Sequence, residues 1–268
     1  MPVSIATWNI NSVRLRLGLV LDFLRQHGPD VLMLQEIKCT NDQFPTEAFA
    51  AAGYSHQAVH GQKGYHGVAT LSRFPLTDVS RRAFCEIPDS RHVSAMLDFG
   101  RGPVTVHNFY IPAGGDEPDP VLNPKFRHKL DFLSELETWF CEPLFARGHI
   151  IAGDFNVAPH ENDVWSHKQL LNVVSHTPTE TEALDRLLTG GGGWVDLVRK
   201  HIPHDQKLYS WWSYRAKDWE ASDRGRRLDH IWSTPDIAAF TSGAEIIKPA
   251  RGWSEKPSDH VPVIVHFA

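Results

Sequence analysis

The chain has 268 residues, 41% hydrophobic and 22% charged, a composition that belongs to globular proteins and excludes a disordered or fibrous chain. Its 27 Lys and Arg against 32 Asp and Glu give a net charge of −5, so any nucleic-acid binding must come from a local basic face rather than from bulk charge. Cys39, Cys85 and Cys141 are scattered and form no CxxC pair, which speaks against a disulfide framework or a thiolate zinc site.

No basic-then-apolar leader follows Met1, and no apolar run approaches the ~20 residues of a membrane span, so a cytoplasmic protein without membrane association is expected. Val3 to Trp8 is β-prone. Val13 to His27 is amphipathic and reads as a helix, with Ser12 as its N-cap and Gly28-Pro29 as its stop. Val31 to Leu34 is a short apolar run that delivers Glu36 at its tip. Further strands are expected at Gly67–Ser72, His92–Asp98 and Val104–Tyr110, with turns at Asp89-Ser90 and Gly100–Pro103.

A helix is expected from Pro124 to Arg147, with Phe126, Leu130, Leu133, Leu136, Trp139 and Phe140 on its apolar face and Pro143 as a candidate early break. His149 to Ala152 reads as a strand that runs into Gly153-Asp-Phe-Asn156. Thr179 and Glu182 have the spacing of a capping box for a helix reaching about Leu188. Gly190 to Gly193 then reads as a helix stop rather than a P-loop, because no Lys-Ser or Lys-Thr follows. Short strands close the chain at Leu228–Trp232, Glu245–Ile247 and Val261–Phe267. With no internal repeat or composition break, the chain is expected to form one layered α/β domain spanning residues 1–268.

Five polar clusters sit at the ends of these apolar runs: Trp8–Asn11, Leu34–Glu36, Gly153–Asn156, Leu228–His230 and Ser258–His260. A carboxylate or amide at the rim of a buried strand is costly to desolvate unless it is paired or metal-bound. Each alone fits a turn or a cap; five together point to a site. Carboxylate and amide oxygens suit hard cations such as Mg²⁺ or Mn²⁺, whereas structural zinc favours Cys and His. HExxH is absent (His160-Glu161-Asn162-Asp163 lacks its second histidine), as is a GxSxG nucleophile elbow. What remains is metal polarisation of a phosphoryl oxygen, with a carboxylate preparing water.

In this order and spacing the clusters resemble the exonuclease III branch of the endonuclease/exonuclease/phosphatase superfamily. Gly61–Ala69, Asn108–Pro112, Ser210–Arg215, Arg224–Ile231 and the closing Glu255–Val263 stretch extend the resemblance over nearly the whole chain. It implies a DNase I-like four-layered α/β sandwich, two packed mixed β-sheets flanked by helices. It implies Mg²⁺, or Mn²⁺, as cofactor and double-stranded DNA with abasic sites or 3′ ends as partner, for a monomer.

Residue by residue, the resemblance implies that Asn9, Glu36 and Asp259 hold the metal, with Asp154, Asn156 and His260 also in its surroundings. Asp154 then prepares the attacking water, and Asn156 steadies it or the phosphate. Tyr110 lies near the scissile group as phenol or phenolate. His260 binds the phosphoryl oxygen and is oriented by Asp229; its neighbour His230 should face the other side of the strand and be structural.

On the DNA side, Lys207–Lys217 interleaves four aromatics with basic residues, and Arg224, Arg226 and Arg227 extend a local positive surface. Trp211 or Trp212 is the aromatic candidate, with Arg215 and Arg226 beside it; Lys63, Tyr65 and Arg91 are candidates for backbone phosphate contacts. Two departures from the family pattern stand out. Ser213 occupies a position where many relatives carry Asp, and Asp163–Lys168 places bulky Trp165 and His167 near the expected pocket. These side chains can disfavour a flipped abasic sugar and favour 3′-end trimming, or the segment is a plain surface loop. The same chemistry on an inositol phosphate or another small phosphoester is the alternative substrate; a non-catalytic DNA-damage binder is the remote one.

Overall fold

The computed structural model describes residues 2–100, 102–191, 193–254 and 256–268. Arg101 of the expected Gly100–Pro103 turn, Gly192 of the glycine run and Glu255 at the head of the closing motif therefore lie outside the described residues, as does Met1.

In chain order the strands are β1 (Val3–Asn9), β2 (Val31–Gln35), β3 (His56–His60), β4 (Val68–Ser72), β5 (Thr77–Ser80), β6 (His92–Asp98), β7 (Pro103–Tyr110), β8 (His149–Asp154), β9 (Val195–Asp196), β10 (Trp211–Trp212), β11 (Gly225–Arg226), β12 (Asp229–Ser233), β13 (Thr241–Ile246) and β14 (Val263–Phe267). The helices that matter most are α1 (Leu17–His27), α2 (Thr46–Ala51), α3 (Pro124–Phe140), α4 (His167–Leu170), α5 (Pro178–Thr189) and α6 (Leu197–His201).

The strands form two six-stranded mixed sheets, ordered β13-β14-β1-β2-β4-β3 and β5-β6-β7-β8-β12-β9, plus the small ribbon β10-β11. Each sheet has one parallel pair at its centre, β1 with β2 and β7 with β8. A parallel pair needs a crossover, and α1 and α3 lie in those two connections.

Period-two alternation builds the layers. Ile5, Val31 and Met33 face Val104, Val106, Ile150, Ala152 and Ile231 between the sheets. Ala6, Trp8, Leu32 and Leu34 face Val20, Phe23 and Leu24 of α1. On the far side Phe109, Ile151 and Trp232 pack on Phe132, Leu133, Leu136 and Phe140 of α3 and on Leu184 and Leu187 of α5. The outcome is a four-layered sandwich of two mixed sheets flanked by helices, as expected. No described helix is long and apolar enough to cross a membrane.

Local readings differ in several places. Ser12 has φ 87 and does not cap α1, whose N-cap is Arg16. Helix α3 ends at Phe140 and a 3-10 turn follows at Pro143–Ala146, because proline cannot continue the hydrogen-bond ladder. The capping box lies two residues earlier than its expected place. Thr177 accepts from Glu180 N and Glu180 accepts from Thr177 N, with Pro178 at the first helical position, where its missing N–H costs nothing.

Candidate active site

Four strands deliver side chains to one rim. Asn9 ends β1, Glu36 follows β2, Tyr110 ends β7 and Asp154 ends β8. Both parallel pairs point their C-terminal ends the same way, which is where open α/β sheets place ligands. Antiparallel β12 starts at this rim, with Asp229 directly opposite Asp154. His260 arrives just before β14 and forms a single bridge with Trp211. Gly153 has φ +143, and a Cβ there would sit 1.9 Å from Phe109 O, so only glycine lets β8 approach β7 immediately before Asp154.

The groups contact one another directly. Asn9 Nδ2 donates to Glu36 Oε1 and to Asp154 Oδ2, both at 2.9 Å. Asn156 N donates to Asp154 Oδ1 at 2.9 Å, and Asn156 Nδ2 to Asp154 Oδ2 at 3.2 Å. His260 Nδ1 lies 2.8 Å from Asp229 Oδ2, while its Nε2 lies 3.7 Å from Asp154 Oδ2. Ser210 Oγ donates to Asp229 Oδ2 at 2.6 Å and accepts from the N–H groups of Leu228 and Asp229. Asp259 accepts from Trp211 Nε1 at 3.0 Å and from Asn11 Nδ2 at 3.2 Å. Glu36 and Asn156 hold left-handed backbone, φ 49 and 54, which costs a non-glycine residue roughly 1–2 kcal/mol. Such strain concentrates at functional sites.

Burial sets the protonation. Asp154, 1% exposed, is raised to about 7 first by burial and then by the Asp229 charge, against the pull of His260. Burial alone would depress His260, but Asp229 and Asp154 outweigh it and lift the imidazole to about 10. Tyr110 is held well above its ordinary value by burial and by the charges of Glu36 and Asp154, so it is a neutral phenol. Glu36 is lowered: burial opposes ionisation, and the Lys38 ammonium at 2.8 Å, with the Asn9 amide, more than compensates.

The donor set suits a hard divalent cation. Among the described residues, Asp154, Asp229 and His260 each place a ligand atom within 4.8 Å of the others, and Glu36 and Asp259 face the same cleft. Asp229 Oδ1 is buried without a hydrogen-bond partner. Among the described residues the four carboxylates form ion pairs only with Lys38 and the His260 imidazolium, and the remaining negative charge is what a cation would balance.

The rim opens into a cleft of about 630 Å³ whose floor is Glu36, Tyr110, Asp154, Asn156, Asp259 and His260. Two arginine–indole pairs stand in its wall: Arg226 Cζ is 5.3 Å from the Trp211 ring centre and Arg224 Cζ is 4.7 Å from that of Trp165. Arg215 and Ser213 also line it. Trp165 is therefore on the cleft wall, whereas His167 is engaged with His176 at 2.8 Å.

Other expected DNA contacts lie elsewhere. Trp212 is 2% exposed, packed in the core with its Nε1 on Asp223, because β10 alternates and turns Trp211 outward. Arg227 is fully buried in an ion network with Asp163 and Asp196, so it adds nothing to the positive surface. Arg91 is also buried; it pairs with Asp89, and its guanidinium lies 5.0 Å from the Tyr110 ring centre, which braces that ring. Lys63 is exposed and Tyr65 is 71% exposed, outside the cleft lining. His230 binds Val157 O and is structural. Three contributors were not assigned a role from the sequence: Lys38, Asn11 and Ser210. The Glu36-x-Lys38 spacing was the signal for the first; Asn11 and Ser210 lie within motifs noted above, but their roles depend on partners far along the chain.

Comparison with known proteins agrees with this geometry. The chain is 33% identical to exodeoxyribonuclease III of Haemophilus influenzae over 97% of its own length and 98% of that protein. Its fold matches an AP endonuclease from Archaeoglobus fulgidus (TM-score 0.89, 32% identity, 99% of each chain). It matches equally a 3′ phosphatase from Neisseria solved with a product DNA hairpin (TM-score 0.89, 30% identity, 99% of each chain). The model of the Endonuclease/Exonuclease/phosphatase family spans residues 6–260, and the chain belongs to that family.

Proposed function

We propose that this protein is a divalent-metal-dependent DNA repair nuclease that hydrolyses phosphoester bonds at abasic sites and at 3′ termini of double-stranded DNA. The observation that carries the reading is a buried acid–imidazole cluster, short of positive charge, on the floor of a cleft walled by arginines and indoles. Membership of the family, with a 33% identical exodeoxyribonuclease III among its relatives, supports it.

Asn9, Glu36 and Asp259 would hold Mg²⁺ or Mn²⁺, with Asp154, Asn156 and His260 bordering it. The bound cation supplies Lewis-acid polarisation of a phosphoryl oxygen. Asp154, at the centre of the cluster, takes a proton from water, and Asn156 fixes its carboxylate. His260, held as imidazolium and aimed by Asp229, donates toward the phosphoryl oxygen where negative charge builds. Tyr110, neutral, donates to the same group.

Arg215, Arg224 and Arg226 meet backbone phosphates, and Trp211 offers an indole face to an opened helix end. Lys63 and Tyr65 extend the contact. Trp165 lines the cleft, and its bulk favours 3′-terminal groups over an extruded sugar. One monomeric domain in the cytoplasm, residues 1–268, performs the reaction.

The test is a time course on three duplexes, carrying an internal abasic analogue, a 3′-phosphate end and a recessed 3′-hydroxyl end, each with Mg²⁺ and with chelator. Metal-dependent products, fastest from the 3′ ends, are expected. Products from none of the three, or products unaffected by chelator, overturn the reading.

A further inference from the structure

We infer that Lys129 and Glu180 form a positioning pair that couples the Asp154–Asn156 loop to the arginine–tryptophan wall of the cleft. Both side chains are fully buried and form an ion pair between α3 and α5. Neither side chain is hydrogen-bonded to Asp154, His260 or Tyr110, and no step described above uses them.

Lys129 Nζ also donates to Asn156 O at 2.7 Å, pinning the left-handed residue whose own N–H holds Asp154 Oδ1. On the other side, both oxygens of Glu180 accept from Ser175 N at 2.9 Å. Ser175 Oγ and Val174 O accept from Arg226 Nη1 at 2.8 and 2.9 Å, and Arg226 stands over the Trp211 ring. A continuous path thus runs from the proposed general base through the ion pair to the cleft wall. The loop after β7 closes over the lysine stem: a Cβ on Gly114 would lie 2.9 Å from Lys129 Cδ.

Stability alone does not account for the arrangement. A buried ion pair is often no better than well-packed apolar residues of the same volume, because both charges must be desolvated. Here burial depresses the lysine even though Glu180 supports it. The capping of α5 by Thr177 and Glu180 needs no buried partner for the carboxylate. What the pair adds is registry between two loops that both line the cleft. Registry matters because a displacement of ~1 Å at a reacting centre costs on the order of 10²-fold in rate.

The inference rests on the proposed nuclease activity, since cleavage is its readout. The experiment compares wild-type protein with Lys129→Met/Glu180→Gln, a charge-neutral pair of similar volume, by thermal unfolding, DNA affinity and single-turnover cleavage of a 3′-phosphate duplex with Mg²⁺. The expected result is a cleavage rate lowered ~10-fold or more with DNA affinity preserved. Ser175→Ala, which removes one bond to Arg226 and leaves the ion pair in place, is expected to slow wild-type cleavage and to add nothing in the double variant. A folded double variant that cleaves at the wild-type rate overturns the coupling, as does an equal Ser175→Ala effect in both backgrounds. Should the double variant fail to fold, an unchanged rate in Ser175→Ala alone overturns it. Absence of metal-dependent cleavage by the wild type refutes the nuclease reading instead.

Discussion

Two buried ionic clusters lie on either side of a two-residue step in the chain, Arg227 and Asp229, and they balance their charges differently. Asp163 and Asp196 meet Arg199 and Arg227, two carboxylates to two guanidiniums, with contacts of 2.5, 3.0 and 2.7 Å. Burial opposes ionisation of both acids, yet Arg227 outweighs it and both lie below the usual carboxylate range. At the rim, the ion pairs of Glu36, Asp154, Asp229 and Asp259 among the described residues are with Lys38 and His260 alone, and Asp154 is pushed up to about 7. The balanced cluster anchors the Trp165-bearing loop; the unbalanced one has a deficit that a cation would fill. Shortage of positive charge, more than burial or acidity, distinguishes the site from the scaffold.

The largest expected effect breaks the balanced cluster. Asp163→Asn or Arg227→Met leaves a buried charge unpaired and should cost about 3–5 kcal/mol of stability in urea melts, with turnover per folded molecule retained. At the rim the pattern inverts. Asp154→Asn and His260→Asn should each lose at least ~10²-fold in turnover, about 2.7 kcal/mol, while melting no lower than wild type in the Asp154 case, because negative charge is relieved. Near-normal turnover in both variants would remove these roles. Glu36→Gln should raise the Mg²⁺ concentration for half-maximal activity ~10-fold, whereas Asp163→Asn should leave it unchanged.

The smallest effect is a difference in pH dependence. His260 sits at about 10 when folded and 6.5 as its ordinary value, so its contribution is fully present below 6.5 and is lost as pH rises through 10. The Arg-based cluster does not titrate there. Melts of metal-free protein across this window should show an alkaline loss in wild type that His260→Asn reduces; an identical slope in both would contradict the assignment.

The rim was legible because each of its residues terminates or borders an apolar run, a pattern short enough to see in sequence. Asn9, Glu36 and Asp154 needed no knowledge of distant partners to be noticed, whereas Tyr110, on a strand where tyrosine packs readily, came only from the family resemblance. Less legible was everything decided by facing. Trp211 and Trp212 are adjacent and chemically alike, yet the ribbon pairing Trp211 with Arg226 turns one to the cleft and the other to the core. Arg226 and Arg227 separate the same way. Strand β5 is exposed throughout, so Thr77–Ser80 carries no apolar signal. Thr177 and Thr179 each precede a glutamate by three residues, and Pro178 was the cue that selects the first. Lys129 and Glu180 are 51 residues apart, and no local pattern joins them.

Calorimetric titration of Mn²⁺ into metal-free protein measures whether the uncompensated carboxylates form a divalent-cation site, without reference to any substrate. Wild-type protein should bind Mn²⁺, and Glu36→Gln/Asp259→Asn should lose that binding while keeping the wild-type fold. Absent binding in the wild type, or equal binding in wild type and double variant, would contradict the claim.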